Sequence, residues 1–287
     1  MSLWTDFLGT EIRFVDTPSF GPTRIAESGR GKGETIIFLH GIGGHLEAYA
    51  KNIMPLAQDF HVVAFDFVGH GLSAKALKTF SPHLLAHQLV ELMDALGIAR
   101  AHLSGESLGG WVAGVFATLH PERTGRLMLN TAGGIPIVTA KGREDLQNLI
   151  ALSAKTAIPD FESVLTRMRW LLHEQNWPLL TEELIKTRLS FYVQPEMAAA
   201  RAAIGQFMAS PAEPHFISLE QITCETLFLW TRENPIHDLA AARQAQAHVA
   251  NSQLYIMAAD CAHWPQFEAP DEFNHITRQF FLSGKLS

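Results

Sequence analysis

The chain has 287 residues, 47% of them hydrophobic and 18% charged, which is typical of a folded globular protein and excludes a disordered one. Lysine and arginine total 22 against 29 aspartates and glutamates, and this net charge of −7 argues against a nucleic-acid partner, which requires a basic face. No run approaches the ~18–20 apolar residues that span a membrane. The first residues lack the basic start and apolar core of a signal peptide, and two cysteines are too few for a disulfide framework, so we expect a cytoplasmic protein.

Short apolar runs, rich in β-branched and aromatic residues, predict strands that are buried on both faces, as in a parallel sheet. An opening pair, EIRFVD and TRIAES around PSFGP, predicts an antiparallel hairpin at the sheet edge. A helix is predicted after Ser81, which is a suitable N-cap followed by proline. Alternation of strands and helices indicates an α/β fold with a mostly parallel central sheet flanked by helices. The predicted buried strands are TIIFLH (35–40), HVVAFD (61–66), AHLSG (101–105), RLMLN (126–130), TLFLW (226–230) and QLYIM (253–257).

One long segment interrupts this alternation. Between about Gly134 and His215 the pattern is helical, as in NLIALSA, FESVLTRMRWLL and EELIKTRL, and it predicts no strand. We therefore expect a core made of residues 1–134 and 216–287, with a helical lid inserted at 135–215.

The strongest chemical signal is AHLSGESLGGW, which contains Gly105-x-Ser107-x-Gly109 between a predicted strand and a predicted helix. This pattern is typical of a nucleophile elbow, a turn so tight that small residues must flank the serine. The turn places the hydroxyl at the positive end of the following helix. The alternative is a glycine-rich turn with an inactive serine.

A serine hydroxyl needs a base to become a nucleophile at neutral pH. His263 follows the last predicted strand, in AADCAHWPQFEAPDEF, and is our candidate base; the alternative is a surface-loop histidine. His83 and His87 lie four residues apart on a predicted helix, but they lack the glutamate and third ligand of a zinc motif. We expect no metal and no cofactor.

A glycine-rich loop, His40-Gly41-Ile42-Gly43-Gly44, follows the strand TIIFL. Such a loop can turn the N–H of Ile42 or Gly43 towards a reacting carbonyl, and the N–H of Leu108 supplies a second donor of an oxyanion hole. The alternative is a tight turn that has no catalytic role.

Together these sites resemble the α/β-hydrolase family over the whole chain. HGIGGHLEAYAKN, GESLGGW and CAHWPQFEAPDEFN look more closely like the hydrolases that cleave a C–C bond in aromatic meta-ring-fission products. The resemblance implies that Arg188 in the lid binds the substrate carboxylate, that Trp264 lines the pocket, and that Gly41 contacts the substrate. It also implies a small-molecule substrate and leaves homodimerisation open. Two positions depart from the best-known members, which have asparagine where Glu106 and Ala48 stand, and this puts the exact substrate in doubt.

The family pattern aligns its catalytic aspartate with Asn234, in WTRENPIHD. An asparagine can accept the Nδ1–H of the histidine through its amide oxygen, but it brings no charge. In serine proteases an Asp→Asn change in this role lowers turnover by about 10⁴. Three orienting residues stay open: Asn234 itself, Asp238, which is also a good helix N-cap, and Glu233, whose side chain should point away from that of Asn234.

We therefore expect a cofactor-independent serine hydrolase that cleaves a C–C bond in a 2-hydroxy-6-oxo-dienoate type of ring-fission product. Ser107 would be the nucleophile or the activator of water, and His263 the base. Two alternatives remain: a carboxylesterase acting on small acyl esters, and a catalytically weakened relative that only binds ligand.

Overall fold

The computed structural model describes residues 2–137, 139–154, 159–209 and 216–286. Within these ranges a single eight-stranded sheet crosses the molecule in the order β1-β2-β4-β3-β5-β6-β7-β8. The strands are β1 (Glu11–Thr17), β2 (Gly21–Ser28), β3 (Thr35–Leu39), β4 (His61–Phe65), β5 (Ala101–Glu106), β6 (Thr124–Asn130), β7 (Thr226–Trp230) and β8 (Ser252–Ile256).

The sheet is parallel from β4 to β8, and β1 and β2 form the predicted antiparallel hairpin at its edge. From β3 the chain first adds β4 on one side and later β5 on the other, so the direction of strand addition reverses there. In open α/β sheets, ligands bind beyond the carboxyl ends of the strands at such a reversal. The loops after β3 and β5 therefore meet where a site is expected.

Helices pack on both faces of the sheet, and each face has its own apolar core. One face is covered by α3 (Pro82–Ala95), which begins after Ser81. The Ser81 hydroxyl accepts the N–H of Leu84, as predicted for an N-cap. The helices outside the predicted lid are α1 (Leu3–Asp6), α2 (Ala50–Leu56), α3 (Pro82–Ala95), α4 (Leu108–Leu119), α9 (Leu239–Ala247), α10 (Pro265–Glu268) and α11 (Pro270–Ser283). In the described ranges no helix has the length and apolarity needed to cross a membrane.

The segment between β6 and β7 is helical where the structure describes it. Its helices are α5 (Ala140–Ala154), α6 (Phe161–Leu171), α7 (Glu182–Tyr192) and α8 (Met197–Ala209). Of the predicted lid, residues 138, 155–158 and 210–215 lie outside the described residues, and its division from the core stays a prediction. Helices α6 and α7 pack against each other and carry side chains into the cavity described below.

Candidate active site

Ser107 lies on a sharp turn between β5 and α4. Its φ of 54° is in the left-handed region, which residues other than glycine rarely adopt. A Cβ added to Gly105 would come within 2.1 Å of the Gly109 carbonyl oxygen, and one added to Gly109 within 2.0 Å of the Leu39 carbonyl oxygen. Side chains at these positions are therefore excluded by backbone atoms, which is the physical reason for the Gly-x-Ser-x-Gly pattern.

Backbone hydrogen bonds hold this strained turn in place. The Ser107 N–H donates to the Asn130 carbonyl oxygen at 3.1 Å, and the Ser107 carbonyl oxygen accepts the N–H of Gly133 at 2.8 Å. Both partners belong to β6 or to the loop after it, so the neighbouring strand anchors the turn. Strain persists at a functional site only when the surrounding structure over-determines it, and these bonds supply that constraint.

His263 lies in the loop after β8, and its imidazole is buried. Its backbone N–H donates to the Leu171 carbonyl oxygen at 2.9 Å, and its carbonyl oxygen accepts the Thr131 hydroxyl at 3.0 Å. Burial lowers the pKa of His263 to about 3, and the nearby His237 contributes to the same shift. The ring is therefore neutral at physiological pH, as a general base must be.

Glu268 holds the loop that carries His263. One carboxylate oxygen accepts the N–H groups of Ala262 and Trp264, and the other accepts the N–H of His173 and the side-chain amide of Asn176. Burial raises the pKa of Glu268, although these four donors oppose the shift. The sequence analysis missed this residue. It ties the histidine loop to the segment between α6 and α7.

Asn234 faces Nδ1 of His263. Its Oδ1 lies 2.9 Å from Nδ1 and also accepts the backbone N–H of Ile236 at 3.4 Å. Because a backbone N–H can only donate, the amide atom that faces the ring is the oxygen. Nδ1 then carries the imidazole proton, and Nε2 keeps the lone pair that a general base requires.

The loop that carries Asn234 is fixed from both ends. The Trp230 indole donates to the His237 carbonyl oxygen at 2.6 Å, and the Thr231 hydroxyl donates to the Ala262 carbonyl oxygen. The second bond joins this loop directly to the histidine loop. The contact between amide and imidazole is therefore built into the packing of two loops.

The other two candidate orienting residues lie elsewhere, which corrects these two alternatives. Asp238 is the N-cap of α9, and its carboxylate accepts the N–H of Ala241 at 3.0 Å. Glu233 is exposed, and its carboxylate lies 3.2 Å from Nε2 of His173. Extended backbone before Pro235 sends neighbouring side chains in opposite directions, so Glu233 points away from the imidazole when Asn234 points towards it.

The carboxyl group nearest to the imidazole is that of Glu106, on the side opposite to Asn234. Glu106 Oε1 lies 3.3 Å from His263 Nε2, and Oε2 accepts the Gly41 N–H at 2.7 Å. Burial raises the pKa of Glu106 to about 8, although the Gly41 N–H, Arg188 and the Trp264 indole oppose the shift. The sequence identified Glu106 as a departure from the family pattern but did not predict this contact.

The loop after β3 presents the predicted oxyanion donors. The N–H groups of Ile42, Gly43 and Leu108 make no hydrogen bond to any residue in the described part of the chain, so they are available to a substrate. The Gly41 N–H, by contrast, is taken by Glu106. The Tyr192 hydroxyl, from α7, donates to the Gly43 carbonyl oxygen at 2.5 Å and fixes the loop from above.

A buried charge network supports this loop from below. Arg24 donates to both carboxylate oxygens of Glu47, at 3.0 and 2.7 Å, and its Nε donates to Asp66 at 2.7 Å. Asp66 accepts the Leu46 N–H, and His45 contacts Glu47 at 2.7 Å. Much of the HGIGGHLEAY motif therefore holds the loop after β3 in place.

These groups line one small cavity of about 20 Å³, which has room for about one water molecule. Its walls include Ser107, Glu106, His263 and Trp264 from the core. The remaining lining residues are Gly41, Ile42, Gly44, Arg167, Leu171, Arg188 and Ile236.

Two arginines, one on α6 and one on α7, reach this cavity. Arg188 is 1% exposed, its guanidinium carbon lies 5.1 Å from the centre of the Trp264 ring, and its Nε donates to the Tyr192 hydroxyl at 2.8 Å. Arg188 Nη1 is buried without a hydrogen-bond partner among the described residues. Arg167, which the sequence analysis missed, lines the same cavity, and burial lowers its pKa. No local pattern marks Arg167, because α6 carries another arginine, Arg169, two residues further on.

Within the described ranges, no three histidine, cysteine, aspartate or glutamate side chains come together as a metal site. His87 Nε2 lies 3.7 Å from Glu91 on the exposed side of α3, as a solvated helix surface would show.

Comparison with known proteins places this geometry in a family. Residues 34–270 match the model of the alpha/beta hydrolase fold. The chain is 30% identical over 275 residues to the 2-hydroxy-6-oxononadienedioate/2-hydroxy-6-oxononatrienedioate hydrolase of Comamonas testosteroni, covering 91% of this chain and 92% of the relative. It has the same identity and coverage with the 2-hydroxy-6-oxo-6-phenylhexa-2,4-dienoate hydrolase of Burkholderia cepacia.

A solved structure of the hydrolase for this phenylhexadienoate from a Rhodococcus strain superimposes with a TM-score of 0.82 at 23% identity, covering 96% of this chain and all of that one. The turn at Ser107, the histidine loop and the match over most of the sequence agree with one another. The chain belongs to the α/β-hydrolase fold family, and within it resembles the hydrolases of meta-cleavage products.

Proposed function

We propose that this protein is a serine-dependent hydrolase that cleaves a C–C bond in a 2-hydroxy-6-oxo-dienoate. The observation that carries this proposal is the common cavity of Ser107 and His263 beneath two lid arginines. The names of the relatives that are 30% identical point to the same substrate class.

Each residue of the site has a role in this proposal. His263 Nε2 takes a proton from Ser107 or from a water that Ser107 orients, and the same imidazole handles protonation of the leaving carbon. The N–H groups of Leu108 and of Ile42 or Gly43 stabilise the oxyanion that forms on the attacked carbonyl. The bond that breaks releases a carbanion, which the dienol system stabilises by delocalisation.

Charge in the cavity supports an anionic substrate. Arg188 and Arg167 are lining residues, and the carboxyl group that faces them, Glu106, is largely protonated at pH 7 because burial raises its pKa to about 8. Buried charges are costly unless they are paired. For Arg188, whose Nη1 has no hydrogen-bond partner among the described residues, a substrate carboxylate would provide one.

The test is hydrolysis of a synthetic 2-hydroxy-6-oxo-dienoate, followed by loss of the visible absorbance of its dienolate, beside a panel of p-nitrophenyl esters. We expect cleavage of the dienoate and weak ester hydrolysis. Ester turnover without dienoate cleavage would instead indicate a carboxylesterase. Absence of both, together with no adduct on Ser107 after fluorophosphonate treatment, would indicate a protein that only binds ligand.

A further inference from the structure

The His263 imidazole has an amide on one side and a carboxyl group on the other. Asn234 Oδ1 lies 2.9 Å from Nδ1, and Glu106 Oε1 lies 3.3 Å from Nε2. In serine hydrolases of the usual kind, the carboxylate stands at Nδ1 and stabilises the imidazolium that forms there. In this protein the amide lies at Nδ1 and the carboxyl group lies at Nε2.

We propose that Glu106, rather than Asn234, supplies the negative charge that stabilises the His263 imidazolium when Ser107 is activated. Glu106 is a positioning residue, because it acts through His263. The inference concerns activation of the nucleophile and does not depend on which substrate is cleaved.

The contacts favour a proton on Glu106 Oε1, a buried atom that has no hydrogen-bond partner among the described residues and lies 3.3 Å from His263 Nε2. Because Asn234 accepts at Nδ1, Nε2 has a lone pair and no hydrogen. A carboxylate oxygen facing that lone pair would be repelled, whereas a protonated Oε1 would donate to it. Oε2 already accepts the Gly41 N–H at 2.7 Å, which favours Oε1 as the protonated oxygen.

The resting pair must lose this proton before Ser107 can be activated. Above the pKa of Glu106, raised to about 8 by burial, Nε2 is freed and Glu106 is a carboxylate. The Ser107 O–H bond then breaks, an N–H bond forms at Nε2, and the electron pair left on Oγ attacks the electrophile. The resulting imidazolium lies beside one carboxylate, so the buried pair is neutral overall. Reactivity therefore rises as pH increases through about 8.

Other groups face this pair and set its electrostatic environment. Arg188 on α7 favours the ionised form of Glu106, as does the Gly41 N–H after β3. The hydroxyl of the buried Tyr49 donates to the Leu39 carbonyl oxygen. Burial and Glu106 raise the pKa of Tyr49, so this residue stays neutral. Arg167 lines the same cavity, and His237, whose pKa burial lowers to about 4, lies beyond the ring and is neutral in this range. Glu106 is therefore the group in this set that we expect to titrate near pH 8.

The test is a double-mutant cycle read by the rate of covalent labelling of Ser107 with a fluorophosphonate. In this reaction Ser107 Oγ bonds to phosphorus and fluoride leaves, so no dienoate is involved. A failure of the proposed C–C cleavage therefore leaves the outcome interpretable. The four proteins are the wild type, Glu106→Gln, Asn234→Asp and the double variant, each labelled between pH 5.5 and 9.5.

At pH 9.5, where Glu106 is ionised, we expect Glu106→Gln to lower the labelling rate by about 100-fold, part of the ~10⁴ that a lost carboxylate costs in a serine protease, and the variant should not show the rise near pH 8. At the same pH Asn234→Asp alone should change the rate by less than about 10-fold, because the ionised Glu106 already supplies a charge. In the Glu106→Gln background the same Asn234→Asp change should restore most of the loss, since it returns a carboxylate to the imidazole.

Glu268→Gln is the matched control, because Glu268 is also a buried glutamate of this site but binds the loop backbone and not the ring. It should lower the rate while leaving the pH midpoint unchanged. The proposal is overturned if Asn234→Asp accelerates labelling equally in both backgrounds, or if Glu106→Gln keeps the rate and pH profile of the wild type. Should Glu106→Gln not fold, the His263 ¹⁵N shifts of the wild type decide, since the proposal requires a transition near pH 8.

Discussion

The floor and the roof of the cavity are built by different physical means. The floor consists of residues 41–44 and 105–109, at the carboxyl ends of β3 and β5; the roof consists of α6 and α7. In the floor, backbone atoms leave no room for larger side chains at Gly105 and Gly109. The roof contributes charged side chains, Arg167 and Arg188, on helices whose backbone has no unusual geometry. We infer that the floor determines the kind of chemistry and the roof determines what binds.

The largest effect is expected at the nucleophile in the floor. Ser107→Ala should lower turnover of the dienoate by about 10⁴-fold or more, because removal of a serine nucleophile leaves only the contribution of the oxyanion hole and of binding. Steady-state turnover measures this loss. Ser104→Ala is the control: its buried hydroxyl lies in β5, the strand before this turn, without a hydrogen-bond partner among the described residues, so activity should persist. Equal activity of both variants would remove Ser107 from the mechanism.

The second effect tests whether backbone contacts restrict side chains in the floor more than at a helix position outside both regions. In Gly109→Ala the new Cβ would meet the Leu39 carbonyl oxygen at 2.0 Å, so we expect a loss of at least about 3 kcal/mol in the free energy of unfolding. Gly205→Ala, on α8, places its Cβ in open space and should stabilise the protein by about 0.5–1 kcal/mol. Urea denaturation of both variants checks this contrast, which equal stabilities would contradict.

The third effect is expected in the roof and concerns binding. Arg188→Met removes the buried guanidinium and keeps much of its apolar volume, so KM for the dienoate should rise by about 100-fold, as for a lost charge-assisted hydrogen-bond pair. The value of kcat should change much less. Arg169→Met is the control, because Arg169 is exposed and packs over Trp177 at 5.3 Å. A fall in kcat at constant KM would assign Arg188 to the chemistry instead.

The smallest effect is expected at Asp238, outside both regions. Since its carboxylate caps α9, Asp238→Ala should lower the free energy of unfolding by about 1 kcal/mol and leave turnover close to that of the wild type. Thermal unfolding and steady-state kinetics provide the two readings. A loss of turnover beyond about 100-fold would mean that Asp238 orients His263 during catalysis, contrary to the contacts of the structure.

Several parts of the site were predicted because the sequence records them locally. The alternation of strands and helices, the hairpin at the sheet edge and the turn at Ser107 each depend on short-range periodicity or on glycine at a fixed spacing. The position of His263 after the last strand follows from the order of elements in the family. Arg188 came from the resemblance alone, and the structure places it in the cavity, while its role in binding stays a proposal.

The sequence by itself determined the backbone of this protein: a mostly parallel sheet, a tight turn at Ser107 and a glycine-rich loop beside it. Only the tertiary structure decided which side chains meet across that backbone. It placed Asn234 and not Asp238 or Glu233 at Nδ1, Glu106 at Nε2, Arg167 in the cavity and Glu268 under the histidine loop. The physical reason is distance along the chain: Glu106 and His263 approach only because β5 and the loop after β8 end at the same edge of the sheet, and no local pattern encodes which groups face each other there.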